Sequence, residues 1–311
     1  MSSRPARAAL TTLVLLVAGL LGVAASTTSA GAAYPGQDGR IAFVRAHQIY
    51  SMNQWGGDVR KLTTSGRNYQ PTWSPDGRRI SFIHEAAGRR DVWVMAAGGA
   101  RKRAVTTSGD VGSAGATWSP DGRTLAYATT QLMTIRSTAP FGAPRPLAGF
   151  QTGGTCEDDA PQPVRVDRFL AWSPDGTRIA VLSNDDCQFD FRVDHYYVAT
   201  GEQRLYATSG ADCCGYLDWT DLFWGPGNQF GYSQRDRGQY GEVTNAPTYI
   251  VYPGFRSLAS DTGGAPSPSG AFMALTNASS GTAMIIRARS DGTARRTLAV
   301  GYQPDWQVRP R

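Results

Sequence analysis

The pentapeptide Trp-Ser-Pro-Asp-Gly stands three times in this 311-residue chain, at Trp73–Gly77, Trp118–Gly122 and Trp172–Gly176. The copies start 45 and 54 residues apart. A catalytic motif is needed once per site, whereas a motif recurring at this spacing marks one copy per folded unit. The letters describe a turn. Serine, proline and glycine at the first, second and fourth positions suit a type I turn followed by a glycine in the left-handed region, a common link between antiparallel strands. The flanks agree: a short apolar strand ending in tryptophan precedes each copy (YQPTW, AGATW, RFLAW) and an alternating strand follows (RRISFI, RTLAYA, TRIAVL).

Two further strands follow a copy. DVWVMAA, a glycine-rich turn and RKRAVTT come after Gly77; DHYYVAT, a turn and RLYATSG come after Gly176. Four antiparallel strands in roughly 40–50 residues are the signature of a propeller blade. Degenerate copies extend the pattern. DLFWGPGNQFGYS keeps Trp224 and the turn glycines, and GAPSPSGAFMALT keeps Ser267, Pro268, Ser269 and Gly270 without the tryptophan. The two ends complete each other: the first repeat begins at its second strand, GRIAFVR, and the last segment, YQPDWQ, aligns Trp306 with Trp73. Inner strands near Trp73, Trp118, Trp172, Trp224, Pro266 and Trp306 predict an all-β, six-bladed propeller with four antiparallel strands per blade. Its first blade is closed by the carboxy-terminal strand.

Over Gly36–Gln307 the chain resembles the TolB-type WD-like propellers, whose repeats carry W-S-P-D-G-x-x-I-A-F. The resemblance implies this architecture and protein partners in the cell envelope. It brings no catalytic residue with it, because the shared motif is a turn. No counterpart of the helical domain that precedes the propeller in that family is expected.

Residues 1–33 have the composition of a secretory signal peptide: Arg4 and Arg7, an apolar run, then small residues up to Ala32 and Ala33. The rest, 34–311, is expected to be one propeller, monomeric, secreted or periplasmic, with no membrane anchor after cleavage. The formal charge of +6 is unevenly placed: from Gln151 to Asp221 thirteen acidic residues stand against five arginines. The cations fall largely on outer strands, where charge keeps sheet edges from pairing with other chains. With no nucleic-acid-reading motif, nucleic acid is not an expected partner.

Propeller geometry sorts the loops. The SPDG turns share one rim, and the long connections lie on the other, in blades four and five, where recognition usually resides. Glu157, Asp158, Asp159, Asp185, Asp186, Asp190, Asp212, Asp218 and Asp221 crowd this sector. They form the candidate ligand-binding set, suited to a protein or peptide, in particular a cationic one. Cys156, Cys187, Cys213 and Cys214 fall in the same sector, and an exported chain with four cysteines is expected to pair them all. Three pairings are open, with Cys156–Cys187 beside a vicinal Cys213–Cys214 favoured. No cofactor and no enzymatic activity are expected. The alternative is a metal-dependent propeller lyase or hydrolase acting on extracellular polysaccharide. It would use His47, His84 and His195, all mapped to the long-loop rim.

Overall fold

Each Trp-Ser-Pro-Asp-Gly copy folds as a closed hydrogen-bonded turn that gives every letter a role. Ser74 Oγ donates to Asp76 Oδ1 at 2.6 Å and accepts the Arg79 N–H at 2.9 Å, while Asp76 Oδ1 also accepts the Arg78 N–H at 3.0 Å. Ser119 with Asp121, and Ser173 with Asp175, repeat the arrangement. The final glycines, Gly77, Gly122 and Gly176, have φ of 65°, 66° and 76°, the region glycine enters at no steric cost. In the degenerate copy Ser269 replaces the aspartate, and its N–H and hydroxyl both donate, at 2.9 Å, to Asp38 from the first blade.

The computed structural model describes residues 35–129, 131–148, 169–185, 190–208, 217–236 and 246–310; the expected signal peptide lies outside them. The strands form six sheets. β1 (Asp38–Arg45), β2 (Gln48–Met52) and β3 (Arg60–Lys61) begin the first. The second holds β4 (Arg67–Trp73), β5 (Arg79–Ala86), β6 (Arg89–Ala96) and β7 (Arg103–Ala104). The third holds β8 (Ala116–Trp118), β9 (Thr124–Ala128), β10 (Leu132–Arg136) and β11 (Arg145–Pro146). The fourth holds β12 (Phe169–Trp172), β13 (Arg178–Asp185), β14 (Asp190–Tyr197) and β15 (Glu202–Thr208). In the fifth are β16 (Leu217–Gly225), β17 (Gln229–Asp236) and β18 (Thr248–Val251). The sixth comprises β19 (Asp261–Pro266), β20 (Phe272–Asn277), β21 (Met284–Arg289) and β22 (Arg296–Val300).

The last strand, β23 (Tyr302–Val308), returns to pair antiparallel with β1, placing Trp306 opposite Ile41 and Asp305 opposite Ala42. The first blade is thus closed by the carboxy terminus, and the ring has no open seam between its first and last sheets. The fifth sheet has three strands among the described residues. Beyond β18 the chain still satisfies the edge: Ser257 Oγ accepts the Ile250 N–H at 2.8 Å. Thr63 and Thr106 do the same for Ile49 and Val92 in the first two blades, at 2.9 and 3.0 Å.

The core lies between sheets. Ala171, Leu182 and Val193 of the fourth blade pack on Trp219, Leu222 and Trp224 of the fifth. Such burial contributes about 25 cal/mol per Å² of apolar surface removed from water. The motif tryptophans also stitch neighbouring blades through hydrogen bonds. Trp118 Nε1 donates to the Thr72 carbonyl and Trp224 Nε1 to that of Ala171, each at 3.0 Å. Arg79 and Arg178, two residues after their SPDG glycines, lay their guanidinium groups over Trp118 and Trp224 of the next blade, each 4.7 Å from the ring centroid.

Candidate functional site

Five of the six inner strands share a kink that the repeat alignment does not announce. Three residues before Trp73, Trp118, Trp224, Pro266 and Trp306 the backbone turns left-handed, at Gln70, Gly115, Asp221, Gly263 and Gln303, with φ of 52°, 85°, 63°, 64° and 53°. In the second, fifth and sixth blades the ladder slips register at this point, as β-bulges do. Gln70, Asp221, Gly263 and Gln303 line a cavity of about 110 Å³ that the inner strands enclose at the propeller axis.

Two carboxylates meet this cavity, Asp221 and Asp305. Asp221 Oδ2 accepts the Thr262 hydroxyl at 2.8 Å. Asp305 lies deep within the ring, and its Oδ2 accepts the Trp73 N–H at 2.6 Å. Burial, which penalises the charged form, pushes its pKa up to about 7 despite backbone N–H donation from Trp73 and Trp306. Asp305 was not among the residues the sequence singled out as binding groups. Its signal was the departure from YQPTW to YQPDW, a carboxylate where the parallel copy has a threonine.

The acidic rim is defined by strand register. Asp185 pairs with Asp190 at the closed end of the β13–β14 hairpin, the end away from the Ser173–Gly176 turn. Asp218 enters β16 at the same rim of the adjacent sheet, opposite Arg235. The backbone therefore brings Asp185, Asp190 and Asp218 to one rim, and Asp221 three residues further along β16 meets the axial cavity. Glu157, Asp158, Asp159, Asp186 and Asp212 lie outside the described residues, as do Cys156, Cys187, Cys213 and Cys214. A further acid in the sector serves the fold itself, since Asp194 is fully buried and held by Arg192 at 2.7 Å and Gln203 at 2.9 Å.

The histidines divide. His47, exposed in the β1–β2 turn, and His84, near the end of β5, lie on either side of Asn68 at the rim opposite the SPDG turns. The His47 carbonyl accepts the Asn68 N–H at 2.8 Å, and Asn68 Oδ1 lies 2.9 Å from His84 Nδ1. His195 departs from the expected position. It pairs with Ala180, two steps from the SPDG end of its hairpin and five from the far end. Its ring is buried among Tyr206, Trp224 and Phe230, with centroids 4.7, 5.3 and 5.0 Å away. That desolvation, with Arg178 nearby, lowers its pKa to about 4. The cause is packing against the next blade's tryptophan, which a strand map cannot show. Among the described residues no three His, Cys, Asp or Glu side chains are arranged to hold a metal ion. No helix among them is long and apolar enough to cross a membrane.

No family model matches the chain. A 65-residue stretch is 38% identical to the Tol-Pal system protein TolB 1 of Novosphingobium aromaticivorans, covering 20% of this chain and 14% of that protein. Among solved structures, TolB from Acinetobacter baumannii superposes with a TM-score of 0.60 at 14% identity, over 86% of this chain and 66% of that one. A putative TolB from Agrobacterium tumefaciens gives 0.53 at 18% identity, over 86% and 90%. A chain of the nidogen/laminin complex gives 0.56 at 10% identity, over 86% and 98%. These likenesses are of fold, and the fold is that of a TolB-like propeller.

Proposed function

We propose that this chain is a secreted, non-catalytic binding scaffold that captures a protein or peptide bearing basic groups at the acidic rim of blades four and five. The observation that carries the proposal is the register that brings Asp185, Asp190 and Asp218 to one rim of two adjacent sheets. Asp221 extends the acid from that rim into the axial cavity. Glu157, Asp158, Asp159, Asp186 and Asp212 lie outside the described residues and belong to the proposed set by their place in the sequence alone. Fields of one sign over a rigid surface steer and select oppositely charged partners. The propellers it resembles include a Tol-Pal system protein and a chain of the nidogen/laminin complex, names that associate them with assemblies rather than reactions. Disulfides among the four cysteines would pre-order the loops that make the contact.

The test is affinity capture from the envelope fraction with immobilised protein, comparing the wild type with a variant carrying asparagine at Asp158, Asp159, Asp185 and Asp186. The proposal expects a partner retained by the wild type and lost by the variant, with both proteins melting alike. Retention of the same partner by both forms counts against the acidic rim as the site. If the four cysteines are paired as the proposal expects, alkylation of the denatured, unreduced protein should add no mass.

A further inference from the structure

We propose that the third blade carries a second site, for a compact polyanion bearing carboxylate or phosphate groups, built from Arg123, Arg136 and Arg145. The three arginines line a cavity of about 650 Å³ together with Thr124, Thr134 and Phe141. That volume is in the range of small-molecule sites, about 300–1,000 Å³.

Strand register explains the convergence. Thr134 and Arg136 alternate onto one face of β10; Arg136 stands opposite Thr124 of β9, and Thr134 opposite Arg145 of β11. Directly opposed residues share a face of a sheet, so all four side chains are on the same side. Arg123 comes from the adjacent SPDG turn. Two bonds tie down the surrounding chain: the Thr134 hydroxyl donates to the Arg145 carbonyl at 3.2 Å, and Arg136 to that of Pro140 at 3.5 Å. Phe141 is anchored against the core between blades two and three and forms a fixed apolar wall.

Among the described residues the guanidinium groups of Arg123, Arg136 and Arg145 enter no ion pair, and the Asp121 charge near Arg123 offsets only part of the total. The neighbouring acid, Asp121, is engaged within its own turn by the Ser119 hydroxyl and the Arg123 backbone N–H. The repeat supplies a second, independent contrast. At the position two after the SPDG glycine, blades two and four carry Arg79 and Arg178, whose guanidinium groups are used up on the next blade's tryptophan. Blade three has Thr124 there, a short side chain that lines the cavity instead. Guanidinium groups match carboxylate and phosphate oxygens bidentately, and three of them around one cavity suit a ligand with at least two anionic groups. This chemistry is opposite in sign to that of the rim of blades four and five, and the proposal does not rest on it.

Pyrophosphate and citrate serve as probes, titrated calorimetrically into the full chain at low salt. The expected result is saturable one-to-one binding of at least one of them, weakened at least tenfold in R123Q/R136Q/R145Q. Preference for pyrophosphate assigns the site to phosphate groups, and preference for citrate to carboxylates. All three residues are exposed, so the variant should keep the wild-type melting temperature. A control variant that removes three other exposed arginines, R101Q/R103Q/R296Q, should bind within twofold of the wild type. The proposal is overturned if neither anion binds saturably, if the triple variant binds as the wild type does, or if the control loses as much affinity.

Discussion

The carboxylate of Asp305 accepts the backbone N–H of Trp73 at 2.6 Å and so joins the last strand of the chain to the second blade. Two blades further round, Thr117 Oγ1 accepts the Trp172 N–H at 3.0 Å from the same repeat position. Just above the closing seam, Gln303 Oε1 accepts the Gln70 N–H at 3.0 Å. The ring is therefore held around its axis by side chains reaching the backbone of the next blade. At the seam where the chain's ends meet, the hydroxyl of the repeat has become a carboxylate.

That carboxylate makes stability depend on pH with a sign unusual for an aspartate. The ordinary value is 3.8, and in the folded protein burial raises it to about 7. Between those values the folded state keeps a proton that the unfolded chain has lost, so stability falls as pH rises through the window, by about 4 kcal/mol in all. D305N keeps an oxygen to accept the Trp73 N–H and removes the charge. In urea unfolding it should match the wild type near pH 4 and exceed it increasingly towards pH 8. A difference that stays constant with pH contradicts this assignment.

His195 acts in the opposite direction. Its pKa is lowered to about 4 by burial, whereas the unfolded imidazole takes up its proton near 6.5. Stability from this group is therefore present above pH 6.5 and lost as pH falls towards 4, by about 3 kcal/mol. The two effects oppose each other over much of the same interval and flatten the wild-type profile. An NMR titration, with the resonance assigned through H195Q, should find this ring neutral at pH 5. Titration between pH 6 and 7 would contradict its place among Tyr206, Trp224 and Phe230.

The three SPDG glycines are identical in sequence and unequal in setting. A Cβ at Gly77 would lie 1.9 Å from the Val308 carbonyl oxygen of β23, whereas at Gly122 and Gly176 the nearest atoms are side-chain ends at 3.5 and 3.4 Å. G122A and G176A should each cost about 1–2 kcal/mol for the left-handed backbone alone. G77A should cost more, because the clasp itself must shift, and Gln307 Nε2 donates to the Gly77 carbonyl at 2.6 Å. Three chemical-denaturation curves check this, and equal losses at all three positions would contradict the described closure.

How much of this was legible in the sequence follows from how local each cause is. The turns were legible because Ser74, Asp76 and Gly77 satisfy one another within five residues. Closure was legible because YQPDWQ supplies the strand that GRIAFVR lacks. The left-handed bulge was not, since Gln70, Gly115, Asp221, Gly263 and Gln303 share a backbone conformation and no side-chain chemistry. His195 looked like a strand-end residue until the fifth blade's Trp224 was placed against it. Arg123, Arg136 and Arg145 carry no shared signal in the sequence, because only the fold of the third blade brings them to one cavity. For the acidic set, register supplies the rim for Asp185, Asp190 and Asp218, while most of the other members lie outside the described residues.

The central claim is that the rim of blades four and five selects its partner by charge, and a binding titration tests it most directly. A ten-residue lysine-rich peptide is titrated into the wild type and into the variant with asparagine at Asp158, Asp159, Asp185 and Asp186, at low salt and at several times that ionic strength. Exposed charges are screened beyond about 8–10 Å at ordinary salt, so the wild-type affinity should fall steeply as salt is raised. The variant should bind at least tenfold more weakly at low salt while melting at the wild-type temperature. Binding that ignores both salt and the four substitutions would contradict the claim.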